Sequence, residues 1–225
     1  MNNMTALINK RSLTEQLHDK LRYDITHKVI RCGEKIDISK LKEELNISQT
    51  PIREAIIKLE QEGLVEFIPN VGARVINIAQ KDVSQVFDVN SILDCGAIYL
   101  AYKNHKFEDL VLSLKNYTEA HLKLASSNPT DEYWSQAQNV HIIFYKYADN
   151  DALYRAARQI EAKADILFGE YILSETNRCC GAEEHYTIYE ATKNHDYQKT
   201  VEAMQAHWEN AKLRLLKWCD EQGYK

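Results

Sequence analysis

The sequence is poor in residues that interrupt regular structure, since its 225 residues include only seven Gly and three Pro. This scarcity excludes collagen-like and low-complexity chains and turn-rich all-β folds, and it favours a mainly α protein. No apolar run approaches the roughly 18 residues that a membrane span requires. The first residues lack the apolar segment and cleavage site of a signal peptide. The five Cys form no CxxC motif, so a cytoplasmic protein with reduced thiols is expected.

Charge is distributed unevenly along the chain. Residues 1–80 carry 12 Lys and Arg against 11 Asp and Glu, a net charge of +1, whereas residues 81–225 carry 16 against 22, a net charge of −6. The overall charge of −5 argues against a uniformly basic nucleic-acid binder, but the asymmetry indicates two domains with different roles. We predict a flexible tail over 1–11, one domain over 12–78 and a second over 79–225.

The pattern of the first domain is typical of a winged helix-turn-helix. Ser12 and Glu15 have the spacing of a capping box at the start of a helix. Two further short helices are predicted, one from about Ser39 and one after Ser48, and a β hairpin is predicted around residues 69–72. Two short helices joined by a tight turn and followed by a hairpin define the winged helix-turn-helix.

In that fold the first turn of the third helix enters the major groove of DNA. Gln pairs well with adenine and Arg with guanine, while Ser and Thr reach phosphates or base edges. The predicted DNA-binding residues are Ser48, Gln49, Thr50 and Arg53, together with Arg74 in the hairpin. The alternative is that Arg53 pairs with a neighbouring acid, such as Glu54 or Glu60, on a solvated helix face.

From Asp82 onward Gly and Pro almost vanish, and apolar residues recur with a helical period. The pattern predicts an antiparallel all-helical bundle, whose interior is a common place for metals and ligands. A mobile loop is expected over 177–180. The six predicted helices cover about 82–104, 107–126, 131–148, 151–174, 183–194 and 197–221.

Three histidines are predicted to converge inside the bundle. His185 and His207 lie at similar distances from the turn near His195 that joins the last two helices, so they reach similar heights on antiparallel neighbours. His141, in the middle of another helix, can meet them. Three imidazoles form a ligand shell for Zn²⁺ or Ni²⁺ with open positions. The alternative is that they are ordinary surface or core histidines, the assignment given to His18, His27, His105, His121 and His195.

The run from Leu45 to Leu64 resembles the signature of the GntR family of bacterial transcription regulators, and Pro69–Val75 resembles the family's wing. The region from about 80 to 220 resembles the FCD ligand-binding domain of its FadR-like branch. The resemblance implies a homodimer on a palindromic double-stranded operator and a small organic or sugar acid as effector. Gln49 replaces the family's usual Arg, which puts in doubt the family's usual operator sequence but not DNA binding.

In that family a carboxylate and three histidines hold a divalent metal in many members, and the effector's carboxylate often completes the shell. His141, His185 and His207 fall on the three histidine positions. Ala137 stands where the family has its metal-binding Asp. The resemblance therefore implies a divalent metal such as Zn or Ni, whose occupancy Ala137 leaves open.

Four further residues are predicted to contact the ligand. Asn90 stands where an Arg is common in the family, and Asp94 stands near it in place of a Glu. Asp94 is a candidate to replace the missing carboxylate. Tyr145, one turn after His141, and Tyr186, beside His185, can offer hydroxyl groups. Alternatively, the pocket has lost its metal and keeps its histidines for hydrogen bonding.

The leading hypothesis is a ligand-responsive transcription regulator, with a repressor as the expected form. There are three alternatives: a metal-ion-responsive repressor, a constitutive DNA-binding protein with a vestigial pocket, and a helical metalloenzyme with a three-histidine site. Against the enzyme, no carboxylate is clearly placed as a base beside the histidines. Glu184 adjoins His185, but consecutive residues of a helix point about 100° apart.

Overall fold

The computed structural model describes residues 11–77, 80–126, 139–171 and 174–222. Within these ranges the chain forms nine helices and one two-stranded antiparallel sheet, which confirms the prediction of a mainly α fold. Almost all of the predicted tail, and the segment that holds Ala137, lie outside the described residues. The elements are α1 (Leu13–Thr26), α2 (Ile38–Leu45), α3 (Gln49–Gln61), β1 (Val65–Ile68), β2 (Gly72–Val75), α4 (Gln80–Tyr102), α5 (Phe107–Ala125), α6 (Asn139–Ala148), α7 (Asp151–Tyr171), α8 (Glu175–Lys193) and α9 (Tyr197–Gln222).

The chain divides into two compact units, Met1–Asn77 and Ile78–Lys225. In the part of the chain that the structure describes, no helix combines the length and apolar character needed to cross a membrane.

Local signals set the helix ends of the first unit. The predicted capping box is present, because the Ser12 hydroxyl accepts a hydrogen bond from the Glu15 amide and the Glu15 carboxylate accepts one from the Ser12 amide. Asn46 ends α2 in the left-handed conformation, with φ 49° and ψ 47°. α1 packs against α3, and the buried apolar side chains of the two helices supply most of the core of this unit.

The hairpin is joined to the chain that precedes α2. β1 pairs with β2 in the register Val65 opposite Val75. On the other edge of β2, the Ile36 amide donates to the Ala73 carbonyl at 2.9 Å and the Val75 amide donates to the Glu34 carbonyl at 2.9 Å. Residues 34–36 therefore lie beside β2 as a third, strand-like segment of the wing, which local sequence patterns do not predict.

The second unit is a helical bundle with one extended core. Buried apolar side chains of α4, α5, α6, α8 and α9 meet there, and α7 contributes Ala157 and Ala164. Phe87, Ile98, Leu110 and Phe144 are fully buried within it. Helices α4, α6, α8 and α9 meet at the centre of the unit, where they also enclose several polar side chains.

The prediction of a mobile loop over 177–180 followed by a helix from 183 is wrong, because α8 already begins at Glu175. Arg178 is buried, and its Nε donates to the carbonyl of Ala125, the last residue of α5, at 3.1 Å. Ala182 packs beside Ala125. The single Gly181 costs a helix only about 1 kcal/mol relative to Ala, and these tertiary contacts hold the extra turns.

An ion pair between α1 and the end of α3 gives a first testable prediction. Nε2 of His18 lies 2.8 Å from a Glu62 oxygen, and this hydrogen bond raises the pKa of His18 above its ordinary value. We expect Glu62→Gln to lower the pKa of His18. NMR titration of the His18 ring proton measures this pKa, and the His18→Gln variant assigns the resonance. Glu60→Gln, an exposed change on the same helix, is the matched control.

The sign of the pH effect follows from the direction of that shift. Because folding raises the pKa of His18, the pair stabilises the first unit fully below the unfolded-state pKa of about 6.5. That contribution is lost as the pH rises through the folded-state pKa. A wild-type His18 that titrates at or below the ordinary histidine value would contradict the assignment.

Candidate functional site

The first turn of α3 presents its predicted DNA-binding residues to solvent. Ser48 is the N-cap residue, and Ser48, Gln49, Thr50 and Arg53 are all exposed. Glu54, one of the two acids offered as an alternative partner for Arg53, instead accepts a hydrogen bond from the Thr14 hydroxyl of α1 at 2.8 Å. Within the described residues Arg53 makes no ion pair, so its guanidinium is available to an external partner.

Arg74 in the wing is placed differently from the α3 residues. Its Nη1 donates to the Gly33 carbonyl at 2.7 Å, and the side chain is partly buried. The guanidinium therefore lies against the segment before α2 rather than extending from the tip of the hairpin. Its role in binding DNA stays a prediction.

Three buried histidines converge in the helical unit, as the sequence predicted. His141 of α6, His185 of α8 and His207 of α9 each offer a ring nitrogen, and these nitrogens lie within 4.8 Å of one another. Nε2 of His185 lies 3.4 Å from Nε2 of His207. α8 and α9 bring these two rings together because the chain reverses at His195, which adopts a positive φ of 56°.

Two carboxylates hold two of the imidazoles from outside this cluster. Nδ1 of His141 lies 2.6 Å from Oδ2 of Asp94 on α4, and the Trp208 indole donates to the same oxygen at 2.6 Å. Nδ1 of His207 lies 2.9 Å from Oε2 of Glu184. An ionised carboxylate only accepts hydrogen bonds, so both Nδ1 atoms carry a hydrogen, and in the neutral form of each ring Nε2 presents a lone pair.

Glu184 is itself held firmly in place. Arg214 donates to its two oxygens at 2.6 and 2.9 Å, and the Asn210 amide donates at 3.1 Å. Through Oε2, Glu184 reaches His207 on the next helix, where it is an outer hydrogen-bond partner of the imidazole.

His121 lies in the core of the helical unit, one of the two places expected for it, and it contacts His185 of the convergent cluster. The residue is 1% exposed, and its Nδ1 lies 2.8 Å from the Tyr117 hydroxyl and 3.2 Å from Nδ1 of His185. The Tyr117 hydroxyl lies 2.9 Å from the same His185 nitrogen. A signal was present in the sequence, since His121 continues the buried stripe of Leu114 and Tyr117 at helical spacing.

Burial and neighbouring charges set the protonation of these groups. Burial lowers the pKa of His185 well below its usual value, lowers that of His207 and lowers that of His121 to about 4. Burial also opposes the charging of His141, but Asp94 outweighs it and raises the pKa of that ring. Burial raises the pKa of Glu184, yet hydrogen bonds from His207 and Arg214 outweigh it and lower the value to about 2.

The cluster fits a divalent cation that prefers nitrogen ligands. Zinc–imidazole bonds of about 2.0–2.1 Å at tetrahedral angles place two ligand nitrogens about 3.3–3.4 Å apart. The two Nε2 atoms of His185 and His207 are separated by that distance. Asp94 is not among the residues whose ligand atoms converge, and its Oδ2 accepts hydrogen bonds from His141 and Trp208. It acts as an outer partner of His141.

The other predicted ligand contacts fall into two groups. Asn90, one turn before Asp94, and Tyr145, one turn after His141, are buried. Within the described residues, the Asn90 amide nitrogen and the Tyr145 hydroxyl have no hydrogen-bond partner, a condition that a bound polar ligand would relieve. Tyr186 is 37% exposed, and its ring lies against Tyr189, so the structure does not bring it to the histidines.

Comparison with known proteins identifies both units. Residues 13–75 match the family described as bacterial regulatory proteins, gntR family, and residues 85–210 match the FCD domain. The chain is 24% identical to the Uxu operon regulator of Haemophilus influenzae, over 97% of this chain and 86% of that protein. It is 26% identical to a probable D-xylose utilization operon transcriptional repressor of Paenarthrobacter nicotinovorans, over 89% of this chain and 87% of that protein.

Among solved structures, E. coli McbR/YncC has the same fold, with a TM-score of 0.78 at 16% identity over 93% of this chain and 99% of that chain. The two matched families together span most of the chain. The chain therefore belongs to the GntR family of bacterial regulatory proteins and is a DNA-binding transcription regulator with an FCD domain, not an enzyme.

Proposed function

We propose that this regulator is a cytoplasmic repressor that binds a palindromic operator as a homodimer and senses a small organic or sugar acid. The observation that carries the sensing role is the buried cluster of His141, His185 and His207 with its ordered outer partners. The names of two relatives, which refer to the uxu operon and to D-xylose utilization, support an effector derived from a sugar.

In this proposal the three histidines hold Zn²⁺ or Ni²⁺. The cation supplies positive charge and open coordination positions for the carboxylate of the effector. Asn90 and Tyr145, whose buried polar atoms have no partner among the described residues, hydrogen-bond to the rest of the effector. The protein's own contribution is to orient the imidazoles and to exclude water from the site.

The signal follows from linkage between the effector and DNA. The polar centre, formed by the side chains of Asp94, His141, His185, His207 and Trp208, joins α4, α6, α8 and α9. An effector that binds one packing of these helices more tightly shifts the population towards that packing. The two packings of a dimer would space its two recognition helices differently on the operator half-sites.

A second candidate is a repressor for which the metal ion is itself the effector. The observation in its favour is that each of the three imidazoles has an outer hydrogen-bond partner, which orients the ring without any organic ligand. The two candidates differ in whether Zn²⁺ alone changes the affinity for DNA.

The metal site is tested by the metal content of the purified protein. We expect near-stoichiometric Zn or Ni in the wild type by elemental analysis and its loss in His207→Ala, because two remaining imidazoles hold a cation weakly. His105→Ala removes an exposed histidine and is the matched control. A wild type that contains no metal and does not bind added Zn²⁺ or Ni²⁺ would remove the metal from the proposed function.

The DNA contact is tested on an operator selected from a pool of random duplexes. Arg53→Ala should weaken binding by about 1–3 kcal/mol, because a bidentate contact to a base is lost. Fluorescence anisotropy measures the affinity. Lys20→Ala on α1 removes the same charge away from the recognition helix and is the control. Equal affinities of wild type and Arg53→Ala would reject the assignment.

Effector sensing is tested on the same operator complex, first by adding Zn²⁺ alone and then by adding each acid at a constant Zn²⁺ concentration. Addition of D-gluconate, D-glucuronate or other sugar acids is expected to change the operator affinity of the wild type by about 5- to 150-fold, the range of ordinary allosteric coupling. His207→Ala should abolish this response. A response to Zn²⁺ alone, with none to any acid, would favour the metal-responsive repressor instead.

A further inference from the structure

We propose that Tyr117 and His121 on α5 are positioning residues that decide which ring nitrogen of His185 carries its hydrogen, and thereby control whether His185 can bind a metal. The proposal rests on the metal site of the proposed function. The Tyr117 hydroxyl, Nδ1 of His121 and Nδ1 of His185 form a triangle with sides of 2.8, 2.9 and 3.2 Å.

His185 differs from the other two imidazoles in its outer partner. His141 and His207 face carboxylates, which only accept hydrogen bonds and therefore fix the hydrogen on Nδ1. His185 faces a hydroxyl group, which both donates and accepts. Its hydrogen can accordingly lie on either nitrogen, so His185 is the adjustable member of the cluster.

Two arrangements of the hydrogen bonds through Tyr117 differ in which imidazole receives its hydrogen. The hydroxyl group of Tyr117 has one hydrogen and can donate it to only one of the two imidazoles at a time. The other imidazole then donates its own Nδ1 hydrogen to the hydroxyl oxygen. Tyr117 thus donates either to His185 while accepting from His121, or to His121 while accepting from His185.

The first arrangement belongs to the metal-free site. Glu184 fixes the hydrogen of His207 on Nδ1, so Nε2 of His207 presents a lone pair. Tyr117 donates to Nδ1 of His185, which keeps the His185 hydrogen on Nε2. That hydrogen points towards Nε2 of His207, 3.4 Å away, and prevents two lone pairs from facing each other.

The second arrangement belongs to the metal-bound site, in which both Nε2 atoms must present lone pairs. His185 then carries its hydrogen on Nδ1 and donates it to Tyr117, and Tyr117 donates to His121. The Tyr117 hydrogen passes to Nδ1 of His185 and the Nδ1 hydrogen of His121 passes to the Tyr117 oxygen, while one proton leaves Nε2 of His185 and one is taken up at Nε2 of His121. The three groups hold three hydrogens before and after, so their net charge does not change.

The role of His121 follows from this exchange. His121 is not placed among the three convergent ligands, but its Nδ1 accepts the Tyr117 hydrogen when His185 turns its lone pair to the metal. If His121 is replaced by an apolar residue, the Tyr117 hydrogen turns to Nδ1 of His185 and stabilises the form that cannot bind metal. Removal of the hydroxyl as well should relieve that block.

The test is the Zn²⁺ affinity of the full chain, measured by competition with a chromophoric chelator. His121→Leu is expected to weaken binding by about 10- to 100-fold, the usual cost of a lost outer partner. The double variant Tyr117→Phe/His121→Leu should bind more tightly than His121→Leu alone. His121→Gln, whose side-chain carbonyl can accept the hydrogen, should stay close to wild type.

Thr118→Val is the matched control, because Thr118 is a buried neighbour on the same helix whose hydroxyl bonds the Leu114 carbonyl. Its Zn²⁺ affinity should equal that of the wild type, and the melting temperature of each variant reports whether it is folded. A double variant that binds no more tightly than His121→Leu would overturn the proposal, as would a His121→Leu variant with unchanged affinity.

A second measurement does not depend on affinity. The ¹⁵N chemical shifts of His121 should show its hydrogen moving from Nδ1 to Nε2 when Zn²⁺ is added, although His121 is not a ligand. An unchanged His121 in a Zn²⁺-loaded protein would overturn this inference alone. If the wild type does not bind Zn²⁺, both the inference and the metal in the proposed function are overturned. If the three-histidine site binds Zn²⁺ but the ¹⁵N chemical shifts of His121 do not change, the proposed function stands.

Discussion

The buried carboxylate of Asp94 is the interaction on which the polar centre of the helical unit depends. An ionised carboxylate in a protein interior is costly unless hydrogen bonds compensate the water that it has lost. Asp94 receives N–H groups from His141 and Trp208, both at 2.6 Å, so one oxygen ties α4 to α6 and α9. Truncation of any of the three partners would leave a buried polar group without compensation.

The same requirement explains the arrangement around Glu184. The carboxylate lies between α8 and α9, and Arg214, Asn210 and His207 all donate to it. Arg214 pairs with the charge of Glu184. Burial lowers the pKa of His207, which favours a neutral imidazole with a lone pair inside the cluster. The polar side chains therefore form two layers, in which Asp94 and Glu184 hold His141 and His207 from outside the cluster of three imidazoles.

Much of this organisation could be predicted from local sequence, and the rest depends on tertiary contacts. The capping box of α1, the left-handed residue that ends α2 and the hairpin all follow from short-range rules. The meeting of His185 and His207 follows from counting residues on either side of a turn. The start of α8 could not be found in this way, because the bond from Arg178 to the Ala125 carbonyl joins residues 53 apart in the chain. The partners of Glu184 and His121 were missed for the same reason, although the helical spacing of His121 from Tyr117 does indicate its buried face.

The pairing of residues 34–36 with β2 has a consequence for how the first unit reads DNA. The segment that leads into α2 forms the outer edge of the wing, and Arg74 bonds to the carbonyl of Gly33 in the same segment. A hairpin attached only at its base could move relative to the rest of the unit. Here backbone hydrogen bonds join β2 along its length to residues 33–36, which lead into the helix-turn-helix. These bonds limit the movement of the wing relative to the segment that enters α2, so if the wing and α3 both contact the operator, we expect a mismatch in their spacing to be accommodated by bending of the DNA.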